Sequence, residues 1–183
     1  MDDAFSQLVD DTKHATEQES LTPAEYDRLK RAVNGDTLYQ LVHATNSYFV
    51  LGKYDGGPQE RRLMDVTTRL NRRPSAAAFL MKDIPEAWEF WTIKFKICAT
   101  RATHIVPVLE DSHGGHHWEA GQIDHAPFRE KTHILKRTYD TRDEEFAKFS
   151  GMIADYIERM QRTERVCEWQ TESELSECTD ALP

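Results

Sequence analysis

The stretch His104–Gly121 decides the fold; it reads His-Ile-Val-Pro-Val-Leu-Glu-Asp-Ser-His-Gly-Gly-His-His-Trp-Glu-Ala-Gly. An apolar run, His104–Leu109, gives way to acidic residues and a glycine pair. That is the pattern of a buried strand feeding a loop. Trp118-Glu119-Ala120-Gly121 then opens a short helix, expected over Trp118–His125. Glu119 thus stands between the carboxyl end of a strand and the start of a helix. Open α/β sheets bind ligands at that edge. A carboxylate there serves as a nucleophile, a general base or a metal ligand.

Working outward, strand and helix patterns alternate. Ser47–Gly52 is a compact apolar strand, Asp55-Gly56-Gly57-Pro58 a loop, and Gln59–Asn71 a charged helix with Leu63, Val66 and Leu70 at helical spacing. Ala76–Met81 is a second strand, ended by Asp83-Ile84-Pro85. Glu86–Thr103 is a helix with Trp88, Trp91, Phe95 and Cys98 three to four apart, residues expected in the core. Thr132–Lys136 is a fourth strand. Asp143–Gln161 is one long amphipathic helix carrying Phe146, Phe149, Met152, Ile153, Tyr156 and Ile157, and Val166–Trp169 is an edge strand. Such alternation implies right-handed βαβ units. The expected fold is a doubly wound α/β domain over residues 46–170, with a mostly parallel sheet of four to five strands. A helical extension, residues 1–45, precedes it; Thr22-Pro23-Ala24-Glu25 is a helix start with Thr as cap and Pro at the first position. Residues 171–183 are acidic and rich in Ser and Thr, and are expected to be a disordered tail.

With 183 residues, one domain is the natural expectation. The net charge of −9, from 32 acidic and 23 basic residues, argues against a nucleic-acid backbone groove. No apolar run approaches the roughly 20 residues that cross a bilayer. The start, Met-Asp-Asp, lacks a basic-then-apolar signal pattern. A cytoplasmic protein with no membrane partner is expected, with Cys98, Cys167 and Cys178 reduced.

Three loops converge at the carboxyl edge of such a sheet: residues 52–57, 81–86 and 110–119. Glycines let backbone approach a ligand and expose N–H groups to anions. Gly56, Gly57, Gly114 and Gly115 are therefore candidates to hold a phosphate, although no Gly-x-Gly-x-x-Gly fingerprint is present. An ionised Glu119 can attack an electrophilic sugar carbon or stabilise an oxocarbenium-like centre. Ala120-Gly121 would let its helix pack tightly on a neighbouring strand. Asp83 is the second carboxylate, a proton donor to a leaving base; its structural alternative is to cap the helix that follows. Tyr54 and Trp118 would position sugar and base, and Asp111 and His116 complete the candidate ligand contacts. Arg61, Arg62, Arg72 and Arg73 fit a solvated helix face. His113, His116, His117 and His125, with Glu110 and Asp111, offer metal-ligating groups, but without His-Glu-x-x-His spacing no metal is assigned.

Tyr48–Gly52 with its following loop resembles the opening strand of the nucleoside 2-deoxyribosyltransferase-like proteins. Gly114–Gly121 resembles their signature, in which glycine precedes a Glu-x-Gly unit at a helix start. The resemblance maps the nucleophilic glutamate onto Glu119, the preceding glycine onto Gly115 and the aromatic of related nucleotide N-hydrolases onto Trp118. Asp83 matches their acidic residue only loosely. Where the family has an acidic residue two before the glycine, this chain has His113. The superfamily shares a flavodoxin-like layout with Toll/interleukin-receptor type domains, some of which cleave NAD. Residues 82–121 also resemble uncharacterised haloarchaeal proteins of this type. The resemblance implies a nucleoside, nucleotide or NAD ligand, cleavage or transfer of an N-glycosidic bond with no cofactor, and a homodimer. Two alternatives stay open: a non-catalytic nucleotide-sensing or interaction module, and a metal-dependent hydrolase using the histidine-rich loop.

Overall fold

The structure, a computed structural model, describes residues 43–84, 91–112, 116–149 and 151–183, isolated positions between 22 and 31, and of residues 116–119 the backbone alone. Apart from those positions and residues 43–45, the N-terminal extension with its expected helices, and residues 85–90 and 113–115, lie outside the described set.

Five strands form one sheet in the order β2-β1-β3-β4-β5: β1 (Asn46–Leu51), β2 (Ala76–Leu80), β3 (His104–Leu109), β4 (Ile134–Arg137) and β5 (Val166–Trp169). All four pairings are parallel. Phe49 registers with Phe79 on one side and Ile105 on the other. This is the flavodoxin-like layout expected from the alternating pattern.

The helices divide between two faces because strand side chains alternate. On one face Phe49, Leu51, Phe79, Ile105 and Ile134 pack against α2 (Trp91–Arg101), α3 (His116–Ile123) and α5 (Gly151–Gln161). Tyr48, Val50, Leu80, Val106, Val108 and Leu135 face the other way, onto α1 (Pro58–Asn71) and α6 (Glu172–Asp180). Trp91 stacks on Phe95 at 5.4 Å, against the first of these cores, as its helical spacing suggested.

Gly52 is buried where β1 runs into α1. A Cβ there would lie 2.6 Å from Leu63 Cδ1, and Leu63 is itself 1% exposed. Close approach of helix to strand requires this glycine, one of the expected ligand contacts, whatever its backbone meets. Gly52→Ala is expected to cost about 1–2 kcal/mol, read as a lower urea midpoint at unchanged slope.

Four expectations are corrected. Residues 171–183 are not a disordered tail, since α6 docks with Leu175, Cys178, Thr179 and Leu182 buried. Thr171 and Glu174 form a capping box at its start, a signal masked by the acidic composition. The expected helix Asp143–Gln161 is two helices, α4 (Arg142–Lys148) and α5. Phe149 leaves helical geometry at φ −113° and ψ 123°. The apolar stripe is broken with it: Phe149 is buried, whereas Phe146 and Met152 are 77% and 63% exposed. Cys167 and Cys178 are joined in a disulfide, so only Cys98 of the three is free. Burial pushes the Cys98 thiol up to about 12, as expected for an inert core cysteine. Lastly, α3 spans His116–Ile123, two residues earlier than expected.

At the amino edge of the sheet, the His104 and His133 rings lie 5.7 Å apart. Burial, with Arg165 and His104 nearby, lowers His133 from 6.5 to about 4. The unfolded chain therefore takes up a proton near pH 6.5 that the folded protein accepts only near pH 4. Stability rises with pH wherever the unfolded state binds more protons, so this contribution is complete above pH 6.5 and lost on acidification toward 4. His133→Phe is expected to flatten the fall in urea midpoint between pH 7 and pH 5.

Candidate functional site

The carboxyl edge gathers the loops that follow β1, β2, β3 and β4. Chain order reverses between β1 and β3, because β1 leads to β2 on one side and β3 to β4 on the other. From this point α1 leaves β1 toward one face and α3 follows β3 toward the other. A crevice opens where successive helices part in this way. Lys53, Gln59, Leu63, Val108 and Glu110 line a depression there.

Its floor is an ion-paired cluster. Glu110, 4% exposed, follows β3 directly. Arg62 of α1 holds it in a fork, Nε to Oε1 at 2.8 Å and Nη2 to Oε2 at 2.5 Å. From the end of β4, Arg137 Nη1 donates to Oε2 at 2.8 Å. The Tyr139 hydroxyl donates to the Glu110 carbonyl. Both guanidinium groups lie over the Trp169 ring, at 5.8 and 5.5 Å. Hydrogen bonding to Glu110 raises Arg62 above its ordinary value, against the opposing effect of burial. With both oxygens in charge-assisted bonds, Glu110 acts as a structural node and not as a nucleophile.

Around this floor lie the expected site residues. Asp111 is buried; its Oδ2 accepts from Gln59 Nε2 at 3.0 Å and lies 3.8 Å from Lys53 Nζ. Lys53 is also 3.8 Å from Asp55. Tyr54 turns its hydroxyl back to accept from the Met81 N–H at 3.2 Å, tying the first loop to the second. Asp83 is exposed, and its Oδ2 accepts from the Leu80 N–H at 2.8 Å within its own turn. The loop after β2 and the loop after β3 flank β1. Glu119 is in the first half of α3. Gly114 and Gly115 are not among the described residues, nor are the side chains of His116, Trp118 and Glu119.

Three sequence expectations change in the structure. The Gly56 N–H donates to Glu60 Oε2 at 2.7 Å and the Gly57 N–H to Asp55 Oδ1 at 2.9 Å. A phosphate on these groups would displace two carboxylates. Lys82 holds Glu60 at 2.6 Å, and that bond, then the Gly56 N–H, keeps its carboxyl below the ordinary value. Gly121 is exposed with open space where a Cβ would be, while Ala120 is buried; the alanine alone makes the expected close packing. Arg62 is buried, and Arg73 is only partly exposed. Arg73 donates to the carbonyls of Thr179, Asp180 and Leu182 in and beyond α6. Arg61 and Arg72 are exposed as expected.

The arginine pair on Glu110 was missed by sequence reasoning, though one signal existed. Arg62, Val66 and Leu70 recur at intervals of four, on the stripe α1 buries. Among the described residues no three His, Cys, Asp or Glu side chains are grouped to hold a metal, and His125 is exposed in the turn after α3. No described helix is long and apolar enough to cross a membrane.

A family model matches residues 5–145, most of the chain, and carries the description "Family of unknown function (DUF8170)". The match spans β1 to β4 and ends before α5, β5 and α6. No curated protein matches the chain.

Proposed function

The chain belongs to this family of unknown function, and we propose from its site that it binds a nucleoside, nucleotide or NAD-like ligand at the β1/β3 crevice and cleaves or transfers the N-glycosidic bond. One observation carries the proposal. The chain reversal between β1 and β3 brings the 52–57 loop beside residues 110–112, which lead into the helix bearing Glu119. Ligands of doubly wound sheets occupy that crevice.

In the proposed chemistry the Glu119 carboxylate attacks the anomeric carbon as the carbon–nitrogen bond breaks. The departing base takes a proton from Asp83 or a loop histidine. The resulting glycosyl ester is hydrolysed by water or captured by an acceptor base, which regenerates the carboxylate. Tyr54 and Trp118 would position sugar and base. No cofactor enters these steps. The resemblance of residues 114–121 to the deoxyribosyltransferase-like signature supports the same assignment.

The test is product analysis by chromatography after incubation with nucleosides, nucleoside monophosphates and NAD. Release of free base or nicotinamide is expected. Ligand binding without release would identify a non-catalytic sensing module on the same fold. Turnover that depends on stoichiometric zinc would identify a metal-dependent hydrolase. Neither binding nor turnover with any of these compounds would refute the proposal.

A further inference from the structure

The Cys167–Cys178 disulfide joins edge strand β5 to α6. Both cysteines lie beyond the segment that matches the family model. The bridge spans a sequence separation of 11 residues. What it anchors reaches the carboxyl edge of the sheet. Glu172, in the first turn of α6, lies 3.5 Å from Arg62 Nη1, and the same Arg62 holds Glu110. Trp169, at the end of β5, underlies Arg62 and Arg137, and its carbonyl accepts from the Thr138 N–H at 2.8 Å. Besides the bridge, α6 is held by buried Leu175 and Leu182, by the Arg73 bonds to its carbonyls and by the exposed Arg69–Asp180 pair. Exposed ion pairs of this kind contribute little.

We propose that the Cys167–Cys178 disulfide is a reversible redox clasp that holds α6 on α1 and, through Glu172 and Arg62, orders the floor of the crevice around Glu110. Cys167 is half-buried and Cys178 buried, so a reducing thiolate reaches the Cys167 sulfur first. A dithiol reductant attacks there, forms a mixed disulfide and expels the Cys178 thiolate, which takes up a proton. Its second thiol then closes on the first, releasing Cys167 as a thiol and the reductant as a cyclic disulfide. Two electrons and two protons pass to the protein. A small-molecule disulfide reverses the exchange. Opening a loop of this length raises the population of undocked α6 by about 100-fold, while the core on the opposite face of the sheet, against α2, α3 and α5, remains.

The clasp is independent of what the crevice binds, and its test uses no ligand. Hydrogen exchange of the full chain, followed by mass spectrometry, compares oxidised protein with protein held in a dithiol under native conditions. Residues 172–182 are expected to exchange about 100-fold faster when reduced. A smaller acceleration is expected in residues 110–112 and 137–139, and none in residues 48–51 and 105–108. Cys167→Ser is expected to exchange fast in either condition, and reoxidation of the parent to restore slow exchange. Three results would each overturn the clasp: no 167–178 cross-link in the air-oxidised folded protein, unchanged exchange over 172–182 on reduction, or loss of protection throughout the sheet.

Discussion

Glu119→Gln is expected to lower the release of free base by about 1,000-fold or more while leaving ligand affinity within a few-fold of the parent. The amide keeps the size and shape of the carboxylate, so contacts to sugar and base are retained. It carries no charge to attack the anomeric carbon or to balance an oxocarbenium-like centre, and that loss falls on the transition state alone. A change confined to the transition state appears in kcat with little change in binding. Glu158→Gln, at an exposed position of α5, serves as the control and is expected to retain full turnover. The parent, incubated with a slow substrate, is further expected to carry a glycosyl adduct detectable by intact mass, and the variant none. Equal turnover by parent and Glu119→Gln would remove this residue from the chemistry. Slower binding and turnover in equal measure would reassign it to ligand positioning.

Arg62→Met is expected to destabilise the fold by about 3 kcal/mol. Removing one partner of a buried ion pair leaves the other charge without compensation. Here Glu110 is 4% exposed and would keep only Arg137, which approaches one of its two oxygens. Because that contact remains, the loss belongs at the low end of the range for broken buried pairs. Glu110→Leu is expected to cost a similar amount, since Arg62 would then lie buried with only exposed Glu172 to meet it. The double variant is expected to recover more than about 1 kcal/mol relative to the sum of the two. The pair of charges is then gone together, and Arg137, about one-third exposed at its side chain, turns to solvent. Urea titration of the four proteins gives the coupling directly. Additive losses would show that Arg62 and Glu110 do not act as a unit.

Much of the architecture was legible before any coordinates. Buried parallel strands are short apolar runs, and Tyr48–Leu51, Phe79–Leu80 and Ile105–Leu109 stand out against the charged helices between them. Leu63, Val66 and Leu70 mark the buried stripe of α1 for the same reason. That Glu119 falls on a short helix after the third strand was also readable, because strand, loop and helix follow one another locally, although the helix begins two residues earlier than expected. Composition misled at the C-terminus. Apolar residues at helical spacing, Leu175 and Leu182, together with the Cys178 bridge, dock a short helix on the face that awaits it. Local sequence contains no record of that face.

By itself, then, the sequence determined the strand segments, the helices that join the first strands, the parallel sheet and the loops at its carboxyl edge. Each of these follows from periodicity within a window of about ten residues. Only the tertiary structure decided the rest. It turned Arg62 from a solvated side chain into the partner of Glu110, 48 residues away in sequence. It brought Cys178 to Cys167. Charges, donors and thiols have no intrinsic partners. Their chemistry is set by which elements the packed core brings within bonding distance.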